Sequence, residues 1–279
     1  MPEITAALVK QLRDETQLPM MDCKKALAES DGDVEAAKEA LRKAGKKLMD
    51  GRKDRTTEEG RIGVYASVDG KVGAMIELMC ESAPVASNDE FVALANDLAQ
   101  QLATGPGAKS ADELWSQAAP SQSGKTLEAW RDEIQNKIRE VFNLTRLERI
   151  DAPCGGFVHM AKIGVLVEVE GGNDELAKDV ALHVAAMNPQ AANKDDLDPA
   201  LVEKERQLQK ERALAEGKPE AIVEKMIDGR MKNFYADHVL TEQPFVRDEA
   251  QTVGKLAKGG GMAIKRFLRW TLGETAAAE

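Results

Sequence analysis

The chain has 279 residues, 43% of them hydrophobic, so it is long enough to bury a core in more than one structural unit. Only 4% are aromatic, and the cores must therefore consist mainly of aliphatic side chains, Ala and Met. The formal net charge of −10 argues against direct nucleic-acid binding, which needs basic surface to neutralise phosphates. Cys23, Cys80 and Cys154 fit neither a disulfide framework nor a metal site, and no signal peptide or long apolar run is present. We therefore expect a cytoplasmic protein without membrane contact.

The N-terminal segment predicts a compact module of three helices over residues 1–46. Apolar side chains recur at helical spacing in the first helix, and Pro19 then interrupts the period. Asp22 is predicted to be the N-cap of the second helix. The predicted helices cover residues 4–13, 23–29 and 34–44. Three helices this short bury little apolar area, so we expect the module to present a surface to another protein.

A short basic stretch and then a β-hairpin are predicted after this module. The stretch is rich in turn formers, and we interpret residues 47–60 as a solvated linker. Asp69-Gly70 separates two alternating apolar runs, which predicts a hairpin with a two-residue turn. The second strand is predicted to bury one face, formed by Ile76, Leu78 and Cys80.

The sequence contains an internal echo, in which Lys162–Val169 resembles Arg61–Gly70. A helix with an acidic start follows each strand region, at Asp89 and at Asp174. Each copy therefore predicts the order strand, strand, helix, strand. We expect an α+β fold whose core has two related subdomains, formed by residues 61–152 and by residues 153–196 with 235–279.

A helix and a short nucleotide-binding pattern lie between the two copies. Leu127–Phe142 carries its apolar residues on a helical stripe, and Trp130 is expected in the core. Residues 119–126 match a relaxed phosphate-loop pattern, but a working loop follows a buried apolar strand. Residues 110–117 are polar and helix-like instead, so we do not predict nucleotide binding here.

Residues 197–234 predict an antiparallel coiled-coil hairpin that projects from the second subdomain. Leu201, Leu208 and Ala215 keep a seven-residue spacing, and Gly217-Lys218-Pro219 supplies a helix stop and a helix start. The return helix carries one apolar face, formed by Val223, Ile227, Met231 and Phe234. The hairpin is either a solvated projection or a contact for dimerisation or a partner, and the sequence weighs these evenly.

No group of residues in the sequence assembles a catalytic or metal site. His159, His183 and His238 are far apart, and none accompanies a nucleophile or a cluster of ligands. His183 is expected to be a structural residue on an Ala-Val-rich helix face. His159, taken by itself, is expected to be a half-buried strand residue. We therefore predict a protein that is not an enzyme and needs no cofactor.

Several runs of residues resemble bacterial translation elongation factor Ts. The N-terminal module contains Leu12–Thr16, Met20–Leu27 and Asp31–Asp33, which form the most specific part of the resemblance. Arg230–Phe234 and Leu240–Val246 extend it downstream. The resemblance covers nearly the full chain, with an apparently shortened C-terminus. It implies an N-terminal module similar to ubiquitin-associated (UBA) domains, and it agrees with the two-subdomain core.

The resemblance also implies a function, which is guanine nucleotide exchange on elongation factor Tu. In the family, the N-terminal module docks on the nucleotide domain of this GTPase. The matching contacts here are Arg13, Met20 and Met21, and His159 matches a histidine that touches the partner. The family then disturbs the partner's Mg²⁺ site with a Thr-Asp-Phe-Val segment that follows the second core strand.

This chain departs from the family at that segment, where it has Ser82-Ala83-Pro84-Val85. We call these four residues the lever segment. Pro84 replaces the aromatic wedge with a smaller, rigid apolar ring, and Ala83 replaces the acid. The nearby Asp89–Val92 could look like a slipped copy, but Phe91 is expected to face the core from a helix that Asn88 caps.

Three functions therefore stay open from the sequence. The first is an exchange factor with an altered lever segment. The second is a binding-only partner or chaperone of elongation factor Tu, which would form a complex without changing nucleotide release. The third is an adaptor whose UBA-like module binds another protein.

Overall fold

The computed structural model of the chain describes residues 4–216 and 220–274, without the side chains of residues 220–222. The predicted stop and start at Gly217-Lys218-Pro219 lie outside the described residues. The α-helices are α1 (Ala6–Thr16), α2 (Met20–Glu29), α3 (Val34–Asp50), α4 (Ala83–Ala86), α5 (Asp89–Thr104), α6 (Ala111–Trp115), α7 (Leu127–Ile138), α8 (Asp174–Met187), α9 (Pro199–Ala215), α10 (Glu220–His238) and α11 (Val253–Gly259). The strands are β1 (Glu59–Ser67), β2 (Val72–Cys80), β3 (Asn143–Ile150), β4 (Cys154–His159), β5 (Ile163–Gly171), β6 (Pro244–Phe245), β7 (Asp248–Thr252) and β8 (Met262–Thr271).

The chain is an α+β protein, as predicted, and it divides into two compact units. The first unit consists of residues 1–63, 76–147 and 272–279, and the second consists of residues 64–75 and 148–271. One three-stranded sheet has the order β1-β2-β3, and another has the order β4-β5-β8. The boundaries predicted for the domains stay predictions.

The N-terminal helices enclose a small apolar core of their own. Its buried residues are Val9, Leu12, Leu18, Cys23, Ala26, Leu27, Ala37 and Leu41. The predicted cap at Asp22 is wrong, because α2 already begins at Met20 and the Pro19 carbonyl accepts the amides of Asp22 and Cys23. Helix α3 runs on to Asp50, beyond its predicted end and into the segment interpreted as a linker.

The hairpin of β1 and β2 is confirmed, but its turn spans four residues, Val68–Lys71. Lys71 adopts a left-handed conformation (φ 50°), and its amide donates to the Val68 carbonyl at 3.2 Å. All nine residues of β2 are buried. The prediction of a single buried face was therefore wrong, because β2 is the central strand of its sheet and is covered on both sides.

Glu77 lies in the middle of β2, and its side chain is only 1% exposed. Both oxygens of its carboxylate nevertheless accept hydrogen bonds. Arg146 donates to it from Nε at 3.0 Å and from Nη2 at 2.6 Å. Thr145 Oγ1 and the Gly273 amide donate to it at 2.5 and 2.8 Å. Burial alone would raise the pKa of this carboxyl, but these hydrogen bonds outweigh burial and hold the pKa below its usual value.

Helix α7 ends at Ile138, four residues before the predicted end. Arg139 takes a left-handed conformation there (φ 65°), which closes the helix. Trp130 is buried, as predicted, and Phe142 is buried from outside the helix, where it meets Phe91 edge to face with ring centroids 4.8 Å apart. The segment before the phosphate-loop pattern contains α6, as its helix-like sequence indicated.

The second unit repeats the order strand, strand, helix, strand with β4, β5, α8 and β8. The predicted echo was displaced by one strand. Most of Lys162–Val169 lies in β5, the central strand of its sheet, which corresponds to the central strand β2 and not to β1. Two glycines support the structural correspondence of β4 with β1. A Cβ at Gly155 on β4 would overlap the Ala177 backbone of α8, and a Cβ at Gly63 on β1 would lie 2.6 Å from the Ala95 carbonyl of α5.

His183 on α8 is fully buried and hydrogen-bonded on both ring nitrogens, as expected of a structural residue. Its Nδ1 accepts the Val246 amide at 3.1 Å, and its Nε2 lies 3.0 Å from Gln243 Oε1. The ring is therefore neutral, with its proton on Nε2. Burial lowers the pKa of His183 from its ordinary value.

Helices α9 and α10 pack against each other, as the hairpin prediction required. Val223, Ile227 and Met231 of α10 are buried at their contact, as predicted. The predicted stripe on α9 was wrong, since Leu201 and Leu208 are 37% and 38% exposed. The inner face of α9 instead contains Gln209 and Ala213, so the seven-residue stripe faces away from α10.

We expect the Gly155→Ala variant to lose about 1–3 kcal/mol of unfolding free energy, because the new methyl group must displace the backbone of α8. Gly229→Ala is the matched control, since a Cβ there meets nothing within 4 Å and alanine favours the helix by about 0.5–1 kcal/mol. Urea unfolding measures both. Equal effects of the same sign would contradict the close approach of β4 to α8.

The free energy of unfolding should decrease as the pH falls below about 6.5, the ordinary pKa of histidine. His183 then binds a proton in the unfolded chain but stays neutral when it is buried in the folded chain, because burial lowers its pKa. Replacing His183 with Gln removes this proton uptake. We expect the loss of unfolding free energy between pH 7.5 and 5.5 to be about 1 kcal/mol smaller in His183→Gln than in the wild-type chain. Parallel pH profiles of the two chains would contradict this account.

Candidate partner-binding surfaces

Three predicted partner contacts lie on the surface of the N-terminal helices. We call Arg13, Met20 and Met21 the docking edge. Arg13 is exposed in the last turn of α1, and Met20 and Met21 are 48% and 72% exposed in the first turn of α2. Two neighbouring methionines with this exposure form an apolar, adaptable surface, since thioether side chains change rotamer easily.

The lever segment forms the N-terminal cap and the first turn of the short helix α4. Ser82 is the N-cap residue, and Pro84 lies in the first turn, where a missing amide proton costs nothing. Val85 is buried, whereas Ala83 and Pro84 are exposed. The segment therefore anchors itself by Val85 and presents the proline ring to solvent.

Two carboxylates fix this segment by a reciprocal exchange of hydrogen bonds. Glu140 accepts from the Ser82 amide at 3.1 Å and from Ser82 Oγ at 2.6 Å. Glu81 accepts from the Val141 amide at 2.9 Å and from Arg55 Nη1 at 3.0 Å. Residues 81–82 and 140–141 thus hold each other through both side chains and backbone.

A buried thiol supports the segment from below. Cys80 Sγ donates to the Ser82 carbonyl at 3.3 Å. Burial, helped by the nearby carboxylates of Glu140, Glu59 and Glu81, raises the pKa of the Cys80 thiol to about 12, so it stays protonated and a donor. Arg61 Nη1 donates to the Ala86 carbonyl at 3.0 Å and holds the far end of α4.

Arg139 connects the end of α7 with the docking edge. Its Nη2 lies 2.5 Å from Oδ2 of Asp22, the residue after Met21. Its carbonyl accepts from Arg52 Nη1 at 2.6 Å. The side chains of Arg139 and Asp22 are 39% and 46% exposed, so solvent screens this ion pair and its contribution to stability is small.

His159 is the last residue of β4 and is exposed, which corrects the expectation of a half-buried side chain. The following Met160 is 81% exposed, and Met160 and Ala161 both have positive φ. His159 is paired with Ile163 across this turn. The ring therefore lies at the tip of a hairpin, where it is accessible to a partner.

A metal site and a membrane-spanning helix each have requirements that can be compared with the described residues. Within residues 4–216 and 220–274, no three His, Cys, Asp or Glu side chains are grouped so that they could hold a metal ion. None of the described helices combines the length and the apolar character that crossing a membrane requires.

Sequence reasoning identified the exposed residues of these surfaces but missed the residues that hold them. Glu81, Glu140, Arg55 and Arg139 were not singled out, because nothing in periodicity or spacing marks a carboxylate whose partner is distant. Glu140 and Ser82 are 58 residues apart, and Arg139 and Asp22 are 117 apart. The one local signal was a basic residue, Arg139, at the end of an apolar helical stripe.

Comparison with known proteins gives a consistent result over almost the whole chain. A family model described as Elongation factor TS matches residues 81–274. A protein of Azoarcus sp. (strain BH72) named Elongation factor Ts is 43% identical over 278 residues, which cover 98% of this chain and 92% of the relative. Proteins of the same name from Methylococcus capsulatus and Bordetella petrii are 42% and 43% identical, over 97% and 98% of this chain and 92% and 93% of their own lengths.

Proposed function

The chain belongs to the elongation factor Ts family and is a translation elongation factor, and we propose from this membership that it promotes guanine nucleotide exchange on elongation factor Tu. It would do so by contact alone, without forming or breaking a covalent bond. Since translation takes place in the cytoplasm, the proposal also places the chain there.

The structural observation that supports this proposal is the exposed proline of the lever segment. Pro84 follows Ser82 by two residues, and the amide, hydroxyl and carbonyl groups of Ser82 are all hydrogen-bonded within the chain. Such a turn can press on a partner without first having to be ordered. We propose that this turn disturbs the partner's Mg²⁺ environment.

The docking edge supplies binding energy and the lever segment makes that binding selective. An exchange factor accelerates GDP release only if it binds the nucleotide-free partner more tightly than the GDP-bound partner. Thermodynamic linkage then requires GDP and the factor to weaken each other's binding equally, typically by about 1–3 kcal/mol. Arg13, Met20 and Met21 would contact both forms, and Pro84 would distinguish them. His159 would add a separate contact from the hairpin tip of the second unit.

The test is the rate of GDP release from the cognate elongation factor Tu, followed with a fluorescent GDP analogue at saturating concentrations of this chain. We expect the wild-type chain to accelerate release. We expect Pro84→Phe to accelerate it further, because an aromatic ring offers more contact area than proline, and Pro84→Ala to slow it by at least about fivefold, the lower end of ordinary coupling.

The control variant is Ser87→Phe, which places the same ring on an exposed position just outside the lever segment and should not change release. Complex formation without any acceleration would favour the binding-only or chaperone function. Absence of a complex, together with capture of a different protein by the N-terminal module, would favour a UBA-like adaptor.

We also propose that the hairpin of α9 and α10 pairs with a second copy of this chain. The outer face of α9 is self-complementary about a two-fold axis passing between residues 207 and 208. An antiparallel pair of α9 helices places Lys204 opposite Glu211 twice, as an isologous interface requires. Both residues are exposed, and they lie nearly on one line along the helix because they are seven residues apart.

Sedimentation equilibrium tests this pairing. We expect concentration-dependent dimers of the wild-type chain, and we expect Lys204→Glu to weaken them because it places like charges opposite each other. The double variant Lys204→Glu/Glu211→Lys should restore association. Lys225→Glu, an exposed change of the same kind on α10, is the control and should have no effect. A monomer at all concentrations would overturn the pairing.

A further inference from the structure

We propose that Arg139 and Glu140 are positioning residues that fix the lever segment relative to the docking edge. This inference rests on the proposed exchange function and extends it to residues that belong neither to the docking edge nor to the lever segment. Arg139 contacts Asp22, the neighbour of Met21, and Glu140 contacts Ser82, the first residue of the lever segment. Two consecutive residues at the end of α7 therefore connect both surfaces of the first unit.

The side chain of Arg139, and not its backbone, marks it as a connecting residue. Arg139 closes α7 in a left-handed conformation (φ 65°), but Gln17 closes α1 in the same way (φ 58°), so this conformation alone assigns no task. The guanidinium of Arg139 contacts Asp22, which is 117 residues away in the sequence. Glycine avoids the conformational cost of this position and is therefore the replacement that removes the side chain alone.

The hydrogen bonds of Ser82 also depart from the ordinary pattern. A serine at a helix N-cap commonly uses its hydroxyl to accept an amide of the first turn. Ser82 makes no such bond, and its hydroxyl donates to Glu140 instead. The cap of α4 is therefore given up in exchange for a bond to the end of α7. The return bond from the Val141 amide to Glu81 closes the connection.

The packing around α2 explains why such a connection matters. A crevice of about 260 Å³ lies between α2, α3 and α7, lined in part by Leu18, Gly45, Asn136 and Arg139. Helix α2, which carries Met20 and Met21, is therefore not held against α7 by continuous apolar packing. The Asp22–Arg139 contact crosses this crevice, and Arg52 fixes the Arg139 carbonyl on the other side.

The functional consequence follows from how binding energy is used. Contacts at the docking edge drive nucleotide release only if they force Pro84 against the partner. If the contacts of Arg139 and Glu140 were lost, the docking edge would still bind the partner, but the lever segment would shift away from it. We call the contacts of Arg139 with Asp22 and of Glu140 with Ser82 the brace. Loss of the brace should lower the maximal rate of GDP release and leave the concentration for half-maximal release nearly unchanged.

The decisive variant is Arg139→Gly, which removes the contact with Asp22 but suits the left-handed backbone and keeps the carbonyl that Arg52 binds. We expect its thermal midpoint to equal or exceed that of the wild-type chain. Its maximal rate of GDP release from cognate elongation factor Tu should fall at least about fivefold, the lower end of ordinary coupling between sites. The half-saturating concentration should stay within about twofold of the wild-type value.

Two further variants separate positioning from simple loss of an ion pair. Arg139→Lys keeps a cation that can reach Asp22 and should restore most of the maximal rate. Lys137→Ala is the matched control, because it removes another ion pair of the same helix, with Glu90 at 2.7 Å, without touching the brace. It should leave the maximal rate unchanged. A maximal rate of Arg139→Gly equal to that of the wild-type chain would overturn the proposal.

A second measurement needs no partner, so its result does not depend on whether the chain promotes nucleotide exchange. Spin labels at Lys24→Cys and Ala83→Cys, both exposed, report the distance between the docking edge and the lever segment, since the three native thiols are buried. We expect a narrow distance distribution that broadens in Arg139→Gly and in Glu140→Gln. An unchanged distribution would overturn the brace whatever the rates. If the wild-type chain does not accelerate release, the exchange function fails, and this measurement still decides the brace.

Discussion

Glu77 on the fully buried strand β2 is the central constraint on the first unit, to which this part of the strand belongs. A carboxylate that is 1% exposed can remain charged only because Arg146, Thr145 and the Gly273 amide together satisfy both of its oxygens. These donors come from β3 and from the chain beyond β8. The charge therefore fixes the register of β2 against β3 and holds Gly273 at the same point. Removal of the Glu77 or the Arg146 side chain would leave the other charge buried and unpaired, which costs far more free energy of unfolding than the loss of one surface ion pair.

The position of the lever segment follows from the end of that strand. β2 ends at Cys80, and the chain then turns outward within two residues. The Cys80 thiol remains a donor because burial holds its pKa near 12, and it engages the Ser82 carbonyl while Glu140 engages the amide and hydroxyl. A buried strand thus leads directly into a short turn in which the amide, hydroxyl and carbonyl groups of Ser82 are hydrogen-bonded. Pro84 follows the last residue of β2 by four residues, without a long loop.

Local features were predictable from the sequence, and distant pairings were not. Asn88 accepts the amides of Glu90 and Phe91 and begins α5, and Phe91 is buried, because a cap and an apolar period lie within a few residues of each other. The exposed methionines of the docking edge came from a resemblance over one continuous run. By contrast, the seven-residue stripe of α9 could face inward or outward, and only the packing of α10 decides it. The bonds of Glu140 and Arg139 join segments 58 and 117 residues apart, so no local pattern carries them.

Pro84 and Arg139 each have a near sequence neighbour in one contact, because Glu140 accepts hydrogen bonds from Ser82. A phenylalanine wedge offers a large area and can adjust its rotamer, so it tolerates some freedom in the segment that carries it. A proline has a smaller surface and no rotamer to adjust, and it presses on a partner only if its backbone is held in place. The bonds from Glu140 to Ser82 and from Arg139 to Asp22 supply that support. Under the proposed function, a smaller wedge that is held by these bonds would perform the same task as the phenylalanine, and the exposed proline would depend on the contacts at the end of α7.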